Sequence, residues 1–237
     1  MSEHIVRAYD EELTSLKTML AQMGGLAEDQ LANAIDALSR RDTLLADQVI
    51  AQDKKVDALE SQIEERAILT IARRQPMARD LREIMVAIRI SSDLERIGDL
   101  AKNVAKRVHA IPDPLPRKLS SGLSMMGRLA LEQLKTVLDA YASMSDQKAL
   151  EVWRGDEELD ALYNSIFREL LTYMMEDPRT IGLCTHLLFG AKNFERIGDH
   201  ATNIAENIHY LVHGKPMDEE RPKKDLTSST PFQAIAG

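Results

Sequence analysis

Prolines divide this chain into long segments that are free of proline. They occur singly or in short groups, at Pro76, Pro112, Pro114, Pro116, Pro178, Pro216, Pro222 and Pro231. Because proline removes a backbone donor and clashes with the preceding turn, it is rare inside helices. The proline-free stretches predict six helices, near residues 5–39, 42–74, 77–109, 117–142, 145–176 and 179–213. A helix of about 30 residues is about 45 Å long, so we expect long rods packed side by side.

The amino-acid composition favours an all-α fold. Only 4% of the residues are aromatic, whereas 44% are hydrophobic and 29% are charged. Strands favour aromatic and β-branched residues, while Leu, Ala, Met, Glu, Lys and Arg favour helices. The proline-rich segment 111–117 divides the predicted helices into two groups of three. We therefore predict three-helix units at 1–110 and 118–213, joined by this linker, and a disordered tail at 214–237.

The two groups of helices repeat each other in sequence. The motif ERIGD occurs at 95–99 and again at 195–199, and DKKVDAL at 53–59 is similar to DEELDAL at 156–162. The first pair is separated by 100 residues and the second by 103. A period near 100 residues is too long for a solenoid repeat. The sequence therefore indicates a duplicated unit and predicts two pseudo-symmetric three-helix bundles.

Charge and cysteine content argue against several classes of protein. The formal net charge is −8, whereas binding to nucleic acid requires a basic surface. The single cysteine, Cys184, cannot form an internal disulfide. No segment has the roughly 18 apolar residues of a membrane-spanning helix, and the first residues lack the pattern of a secretory signal peptide. We therefore expect a cytoplasmic protein without a nucleic-acid partner.

Pairs of acidic residues four positions apart mark one face of two helices in each unit. Because each residue turns a helix by about 100°, Glu95 and Asp99 share a stripe that lies away from the apolar face. The stripes contain Asp53, Asp57, Glu95, Asp99 and Asn103 in the first unit, and Asp156, Asp160, Glu195, Asp199 and Asn203 in the second. Consecutive helices joined by a short turn pack antiparallel, so we expect the stripes of each unit to meet at one seam.

Such a seam fits either a solvated face or a cation-binding surface. Acidic residues opposite a core are ordinarily solvated, but like charges at i,i+4 destabilise a helix. The glycine of each ERIGD motif, Gly98 or Gly198, also costs about 1 kcal/mol relative to alanine, and its missing side chain admits a neighbouring helix or a bound group. The like-charge pairs and the helical glycine both recur in the two units, which favours a cation-binding surface over a merely solvated face. Carboxylate oxygens suit hard ions such as Mg²⁺, Mn²⁺, Ca²⁺ or iron.

Five motifs occur in a specific order along the chain. They are MGGLAEDQLANAIDAL, ARRQPMARDLR, LERIGDLAKN, TYMMEDPRTI and FERIGDHATNIAENI, and the match extends to about residue 213. This set resembles the PhoU family of phosphate-signalling regulators. The resemblance implies a pair of three-helix bundles without catalytic activity. It also implies a negative regulator of the phosphate-starvation response that works between a phosphate ABC transporter, through its ATPase, and a membrane-bound sensor histidine kinase. A homodimer that reaches the membrane only through these partners is expected.

The same resemblance implies metal binding, because family members bind iron, manganese, magnesium or zinc through E(D)xxxD motifs. These motifs correspond to the four acidic pairs above, with Asn103 and Asn203 as weaker candidates. The two units differ at three positions of the stripes. The first unit has Glu60, Glu64 and Lys106 where the second has Tyr163, Phe167 and Glu206. We therefore expect two sites of unequal affinity or nuclearity.

Other charged residues and other functions fit the sequence less well. Four arginines are candidates for partner binding or for simple solvation: Arg73, Arg74, Arg96 and Arg196. Glu206 and His209 form a Glu-x-x-His unit like those of di-iron bundles, but that chemistry needs two copies. The other histidines are expected to be surface or packing residues. A metal-dependent enzyme or metal store that uses the same acids, and a metal-free helical scaffold, are the alternative functions.

Overall fold

A computed structural model describes residues 2–111 and 117–218, with the side chains of residues 9–111 and 121–218. Six long helices account for most of these residues. They are α1 (Ser2–Arg40), α2 (Thr43–Arg74), α3 (Arg79–Val108), α4 (Arg117–Ser143), α5 (Asp146–Glu176) and α6 (Ile181–His213). No strand occurs among the described residues. The prediction of an all-α fold with six helices is confirmed.

Polar side chains define the short turns between the helices. The Asp42 carboxylate accepts a hydrogen bond from the Leu45 backbone N–H at 2.9 Å and so caps α2. Ser145 caps α5 in the same way, since its hydroxyl accepts from the Lys148 N–H at 3.3 Å. These caps satisfy backbone donors that have no partner in the first turn of a helix.

Two helices begin two residues later than the prolines predicted. Ala78 has a φ of 47°, which lies outside the right-handed helical region, so α3 begins only at Arg79. Before α6, Pro178–Thr180 form a short 3-10 turn. There the Asp177 carboxylate accepts a hydrogen bond from the Arg179 backbone N–H at 3.0 Å. Local backbone geometry at these two turns therefore replaces the first residues of the predicted helices.

The helices form two bundles, α1 to α3 and α4 to α6, that share one hydrophobic core. Within each bundle all three helices contact one another, and α3 packs on α6 while α1 packs on α4. One continuous cluster of buried apolar residues includes members of all six helices. Residues 112–116 of the predicted linker and residues 219–237 of the predicted tail lie outside the described residues. At the start of that tail, Met217 packs against the core.

None of the helices in the described part of the chain is long and apolar enough to cross a membrane.

A buried glutamine joins the three helices of the first bundle. Gln30 of α1 is fully buried, and its side-chain N–H group donates to Asp53 Oδ1 of α2 at 3.2 Å. The same nitrogen lies 3.2 Å from the Gly98 carbonyl oxygen of α3, to which it also donates. A polar group in a core needs such partners, because leaving one unpaired costs about 1–3 kcal/mol. Gln30 therefore holds α1 to both neighbouring helices.

The second bundle contains an equivalent glutamine, 103 residues later in the chain. Gln133 of α4 is also buried, and its side-chain N–H group donates to the Gly155 carbonyl oxygen of α5 at 3.1 Å. In both bundles the amide oxygen lies over the glycine of ERIGD. A Cβ atom added to Gly98 would meet Gln30 Oε1 at 3.1 Å, and one added to Gly198 would meet Gln133 Oε1 at 2.9 Å. The glycine thus leaves room for the glutamine of the first helix in each bundle, and the space is tighter at Gly198 than at Gly98.

We expect Gly198→Ala to destabilise the protein more than Gly98→Ala. The new Cβ at position 198 would also lie 2.3 Å from Leu159 Cδ2, and Leu159 is buried and cannot move away freely. Overpacking of this kind costs about 1–3 kcal/mol, which exceeds the gain of about 1 kcal/mol from replacing glycine in a helix. Urea denaturation should show a lower free energy of unfolding for Gly198→Ala and a change below about 1 kcal/mol for Gly98→Ala. Equal losses would contradict this account of the glycines.

Candidate metal centres at two helix seams

The acidic residues predicted on α2 and α3 lie together along the seam between these helices. We call Asp53, Asp57, Glu60, Glu95 and Asp99 the first acidic cluster. Only Asp53 is buried, with 4% of its surface exposed. The members lie close enough for their charges to act on one another: Asp53 and Asp99 both act on Asp57, and Asp57 and Glu60 both act on Glu95. The structure therefore places the predicted acids of the first unit along one seam, although in the described part of the chain no three of them bring ligand atoms within 4.8 Å of one another.

Lys102 is the central cation of the first acidic cluster. Its ammonium group forms ion pairs with both Asp53 and Asp99. Burial opposes the charge of Lys102, but the hydrogen bonds to these two carboxylates raise its pKa above the ordinary value. The sequence analysis missed this residue, although its position three residues after Asp99 places it beside that acid on the helix surface. The ammonium lies between carboxylates that were predicted to bind a metal ion.

Three acids of the first acidic cluster are harder to ionise than usual. The pKa of Glu95 is raised by burial and then by the charge of Asp99. Burial also raises the pKa of Asp57, with a further contribution from Asp53. For Glu60, burial raises the pKa and Glu64 adds to the effect, although Arg96 opposes it. Repulsion within the cluster therefore persists in the presence of Lys102 and Arg96.

The acids of the second unit form a more deeply buried group between α5 and α6. We call Asp156, Asp160, Glu195 and Asp199 the second acidic cluster. The exposed fractions are 1% for Asp156, 2% for Asp160 and 4% for Glu195, whereas Asp199 is half-buried. The stripe that sequence reasoning placed away from the apolar face of α6 is thus largely covered by α5. Buried carboxylates need partners or cations, because desolvating a charge is costly.

A different lysine serves the second acidic cluster. Lys192 donates to Glu195 Oε1 at 2.8 Å, and its ammonium lies 5.0 Å from the centre of the Tyr163 ring. The position that corresponds to Lys102 is Thr202, whose hydroxyl donates to the Gly198 carbonyl oxygen at 3.0 Å. The position that corresponds to Lys192 is Ser92. The duplicated seams therefore carry their lysines at different ends of the acidic stripe.

Some residues predicted on the acidic stripes have other contacts. Asn203 donates to Asp93 Oδ1 of α3 at 3.3 Å, so it faces the other bundle. Glu206 Oε1 accepts a hydrogen bond from the indole N–H of Trp153 at 3.2 Å. Asn103 is half-buried one turn after Asp99. Of these, Asn203 and Glu206 are already engaged away from the carboxylates of the second acidic cluster.

The four arginines predicted to bind a partner differ in their surroundings. Arg74 pairs with Glu12 of α1 at 2.9 Å, and this contact lowers the pKa of Glu12. Arg96 lies 3.4 Å from Glu95 and 3.8 Å from Asp99. Arg73 and Arg196 are exposed, and Arg73 lines an open cavity of 380 Å³ between α1 and α2. Partner binding by these residues stays a prediction.

The chemistry of both acidic clusters fits a hard divalent cation. Their ligand atoms are carboxylate oxygens, which Mg²⁺, Mn²⁺, Ca²⁺ and iron accept. Burial first, and neighbouring acids second, raise the pKa values of Asp57, Glu60 and Glu95, and a cation bound in the first acidic cluster would offset both effects by stabilising the charged forms. It would also compete with the ammonium group of Lys102 for Asp53 and Asp99. In the second acidic cluster the competitor is Lys192, which contacts Glu195.

Comparison with known proteins matches both bundles to the same family. The PhoU domain matches residues 20–108 and again residues 123–208. The chain is 59% identical, over 95% of its length and 96% of the relative, to the phosphate-specific transport system accessory protein PhoU homolog of Rhizobium meliloti. It is 40% identical to the accessory protein PhoU of Escherichia coli, over 91% of this chain and 89% of that protein.

Solved structures have the same fold. The crystal structure of PhoU from Pseudomonas aeruginosa superposes with a TM-score of 0.83 at 38% identity, covering 87% of this chain and all 100% of that one. The crystal structure of the phosphate transport system regulatory protein PhoU from Streptococcus pneumoniae superposes with a TM-score of 0.82 at 29% identity. It covers 89% of this chain and 100% of that one. With the duplicated domain, the ordered motifs and the shared fold in agreement, the chain belongs to the PhoU family.

Proposed function

We propose that this chain is an accessory protein of phosphate-specific transport and a negative regulator of the phosphate-starvation response and of phosphate uptake. The observation that supports this most is the family match over both bundles, together with relatives that carry the name phosphate-specific transport system accessory protein at up to 59% identity. The protein acts by binding other proteins and not by catalysis. It works in the cytoplasm, as a homodimer.

The proposed mode of action is that of an adaptor. One surface contacts the ATPase of a phosphate ABC transporter, and another contacts a sensor histidine kinase. The exposed arginines Arg73 and Arg196 are suited to acidic surfaces on such partners, because they are not held within the bundles. Arg74 and Arg96 are weaker candidates, because each already pairs with an acid of this chain.

Metal binding by the two acidic clusters is the second part of the proposal. Support comes from the raised pKa values in the first acidic cluster, which indicate charge that a cation would stabilise. The two sites should differ, because Lys102 contacts two acids of the first acidic cluster while Lys192 contacts Glu195 in the second. Deeper burial of the second acidic cluster adds to this difference.

Two alternative functions make different predictions. A metal-dependent enzyme or metal store would use the same carboxylates, and protein loaded with Mn²⁺ or Fe²⁺ would then hydrolyse phosphoesters or oxidise iron. A metal-free scaffold is favoured by Lys102 and Lys192, since their ammonium groups already act as cations at the seams. Assays of turnover and elemental analysis of protein purified without chelator distinguish these possibilities.

Deletion of the gene should release phosphate-starvation genes from repression in high phosphate. We expect alkaline phosphatase activity to rise in the deletion strain and to return to the repressed level when the wild-type chain is supplied. Alkaline phosphatase activity in high phosphate is then measured for two variants of the supplied chain. Arg196→Ala removes an exposed cation, whereas Arg74→Ala breaks a contact within the protein. A deletion strain that keeps alkaline phosphatase repressed in high phosphate would contradict the proposed regulation.

Replacing Lys102 with methionine should strengthen metal binding at the first acidic cluster. Losing one partner of a buried ion pair leaves a charge that costs about 3–5 kcal/mol, and a bound cation recovers part of that cost. We expect Mn²⁺ affinity to rise about tenfold or more, measured by calorimetry in a chain that also carries Glu195→Gln. Lys106→Met, at an exposed position of the same stripe one turn later, is the matched comparison and should raise the affinity much less than Lys102→Met. An unchanged or weaker affinity of Lys102→Met would show that the ammonium does not compete with metal.

Glu95→Gln should stabilise the metal-free protein near neutral pH. Because folding raises the pKa of Glu95 above 4.5, its charged form is disfavoured in the folded state at pH values above the raised pKa. This penalty disappears as the pH falls below 4.5, where the group is protonated in both states. We expect a gain of about 0.5 kcal/mol in the free energy of unfolding at pH 7 that shrinks on acidification. Urea denaturation at several pH values in the presence of chelator measures this difference in the free energy of unfolding. A loss of stability at pH 7 would contradict the conclusion that the charge of Glu95 is unfavourable in the folded state.

A further inference from the structure

A group of two histidines and one aspartate lies at the end of α6, away from both acidic clusters. His209 and His213 lie one turn apart in the last two turns of α6, and Asp146 is the first residue of α5. His209 Nδ1 is 2.7 Å from Asp146 Oδ1, and His213 Nε2 is 2.9 Å from Asp146 Oδ2. The ring centres of the two histidines are 4.4 Å apart. Three potential ligand atoms thus converge from two helices.

The positions of these side chains are fixed by the fold. Asp146 follows directly after the Ser145 cap of α5, so its place at the start of that helix is set. His209 and Asp146 are largely covered, with 16% and 24% of their side chains exposed, while His213 is 41% exposed. Both histidines contact the carboxylate of Asp146, one at each oxygen. The three side chains are therefore held together by contacts between the ends of two helices.

The ligand types differ from those of the acidic clusters. Imidazole nitrogen and carboxylate oxygen together suit Zn²⁺ and other transition metals, whereas Mg²⁺ and Ca²⁺ prefer oxygen alone. Bonds of about 2.0–2.1 Å around a tetrahedral zinc ion place its ligand atoms about 3.3 Å from one another. One ligand atom from each of the three side chains lies within 4.8 Å of the others. Small side-chain movements would suffice to coordinate an ion.

We propose that Asp146, His209 and His213 form a binding site for Zn²⁺ or a similar transition-metal ion. The site supplies two imidazole nitrogens and one carboxylate oxygen, which is the ligand set of zinc sites that keep one coordination position open. On binding, the proton on the ring nitrogen that faces Asp146 is released to solvent or is carried on the other ring nitrogen of the same histidine, so that the first nitrogen presents its lone pair to the ion.

An adjoining cavity leaves room for a further ligand. The same three side chains line a space of 390 Å³ together with Trp153, Arg154, Lys215 and Asp218, and Lys215 pairs with Asp218 at 3.0 Å. This volume holds several water molecules, so the remaining position of the ion is open to water or to a carboxylate. A bound ion would join the last turn of α6 to the first turn of α5, next to the contact of Met217 with the core.

A similar histidine in the first bundle provides a matched control. His109 occupies the position 100 residues before His209, and its Nε2 lies 3.0 Å from Asp47 Oδ1. Position 113, which corresponds to His213, is an aspartate in the sequence. The first bundle therefore has a single histidine beside a carboxylate. Comparison of the two places separates metal binding from a simple contact between histidine and aspartate.

The test is titration of the full chain with Zn²⁺, followed by ¹H–¹⁵N NMR spectra of the histidine side chains, with Mg²⁺ in excess to occupy oxygen-only sites. We expect the imidazole signals of His209 and His213 to shift together at the first equivalents of Zn²⁺, and that of His109 to stay in place. Calorimetry should show that His213→Gln weakens this binding by more than about 100-fold, a larger loss than an outer-shell change causes. His109→Gln should have no effect.

Two results would overturn the proposal. The first is that His209 and His213 signals do not move while Zn²⁺ binds elsewhere. The second is that His213→Gln binds Zn²⁺ as tightly as the unchanged chain. Because glutamine keeps a polar group at the surface of α6, the variant should fold, and circular dichroism confirms that it does. These results do not depend on the acidic clusters, so this test and that of metal binding at the helix seams can succeed or fail separately.

Discussion

The amide of one buried glutamine in each bundle is the contact on which the rest of the site depends. Gln30 reaches from α1 to Asp53 of α2 and to the backbone of α3 at Gly98. The absence of a side chain at Gly98 leaves room for this amide, since an added Cβ would lie 3.1 Å from Gln30 Oε1. Asp53 accepts from this amide through one carboxylate oxygen and pairs with Lys102 through the other. Helix packing and the position of a charged ligand are thus set by a single side chain, which explains why a residue that weakens helices occurs in the middle of α3.

Duplication preserved this packing while the charges at the two seams diverged. Both bundles keep the glutamine, the glycine and the acids, but the lysine that neutralises them comes from different positions. Lys102 approaches the first acidic cluster from one turn after ERIGD, whereas Lys192 approaches the second from one turn before it. A metal ion bound at a seam, as proposed, would compete with the ammonium group for the same carboxylates, so the position of the lysine would decide which acids the ion can reach in each bundle.

The approximate ends of the helices and the family could be predicted from the sequence, because prolines, periodic apolar residues and repeated motifs are local signals. Gln30 and Gln133 were missed, because one polar residue in an amphipathic helix does not indicate whether it is buried. Their spacing of 103 residues, identical to that of Asp53 and Asp156, was the available signal. Asn203 was assigned to the acidic stripe from its angle around α6. Its contact with Asp93 arises from packing between the bundles, which helical periodicity does not describe.

The contacts of α6 connect the chemistry of the second seam to the first bundle. This helix supplies Glu195 and Asp199 to the second acidic cluster, and one turn further on it holds Asp93 of α3 through His200 and Asn203. A cation that draws the carboxylates of α5 and α6 together acts on a helix that is also bonded to α3. Because both bundles share one close-packed core, such a displacement cannot stay within one bundle. Under the proposed metal binding, a cation at the second seam would therefore also act on the interface between the bundles.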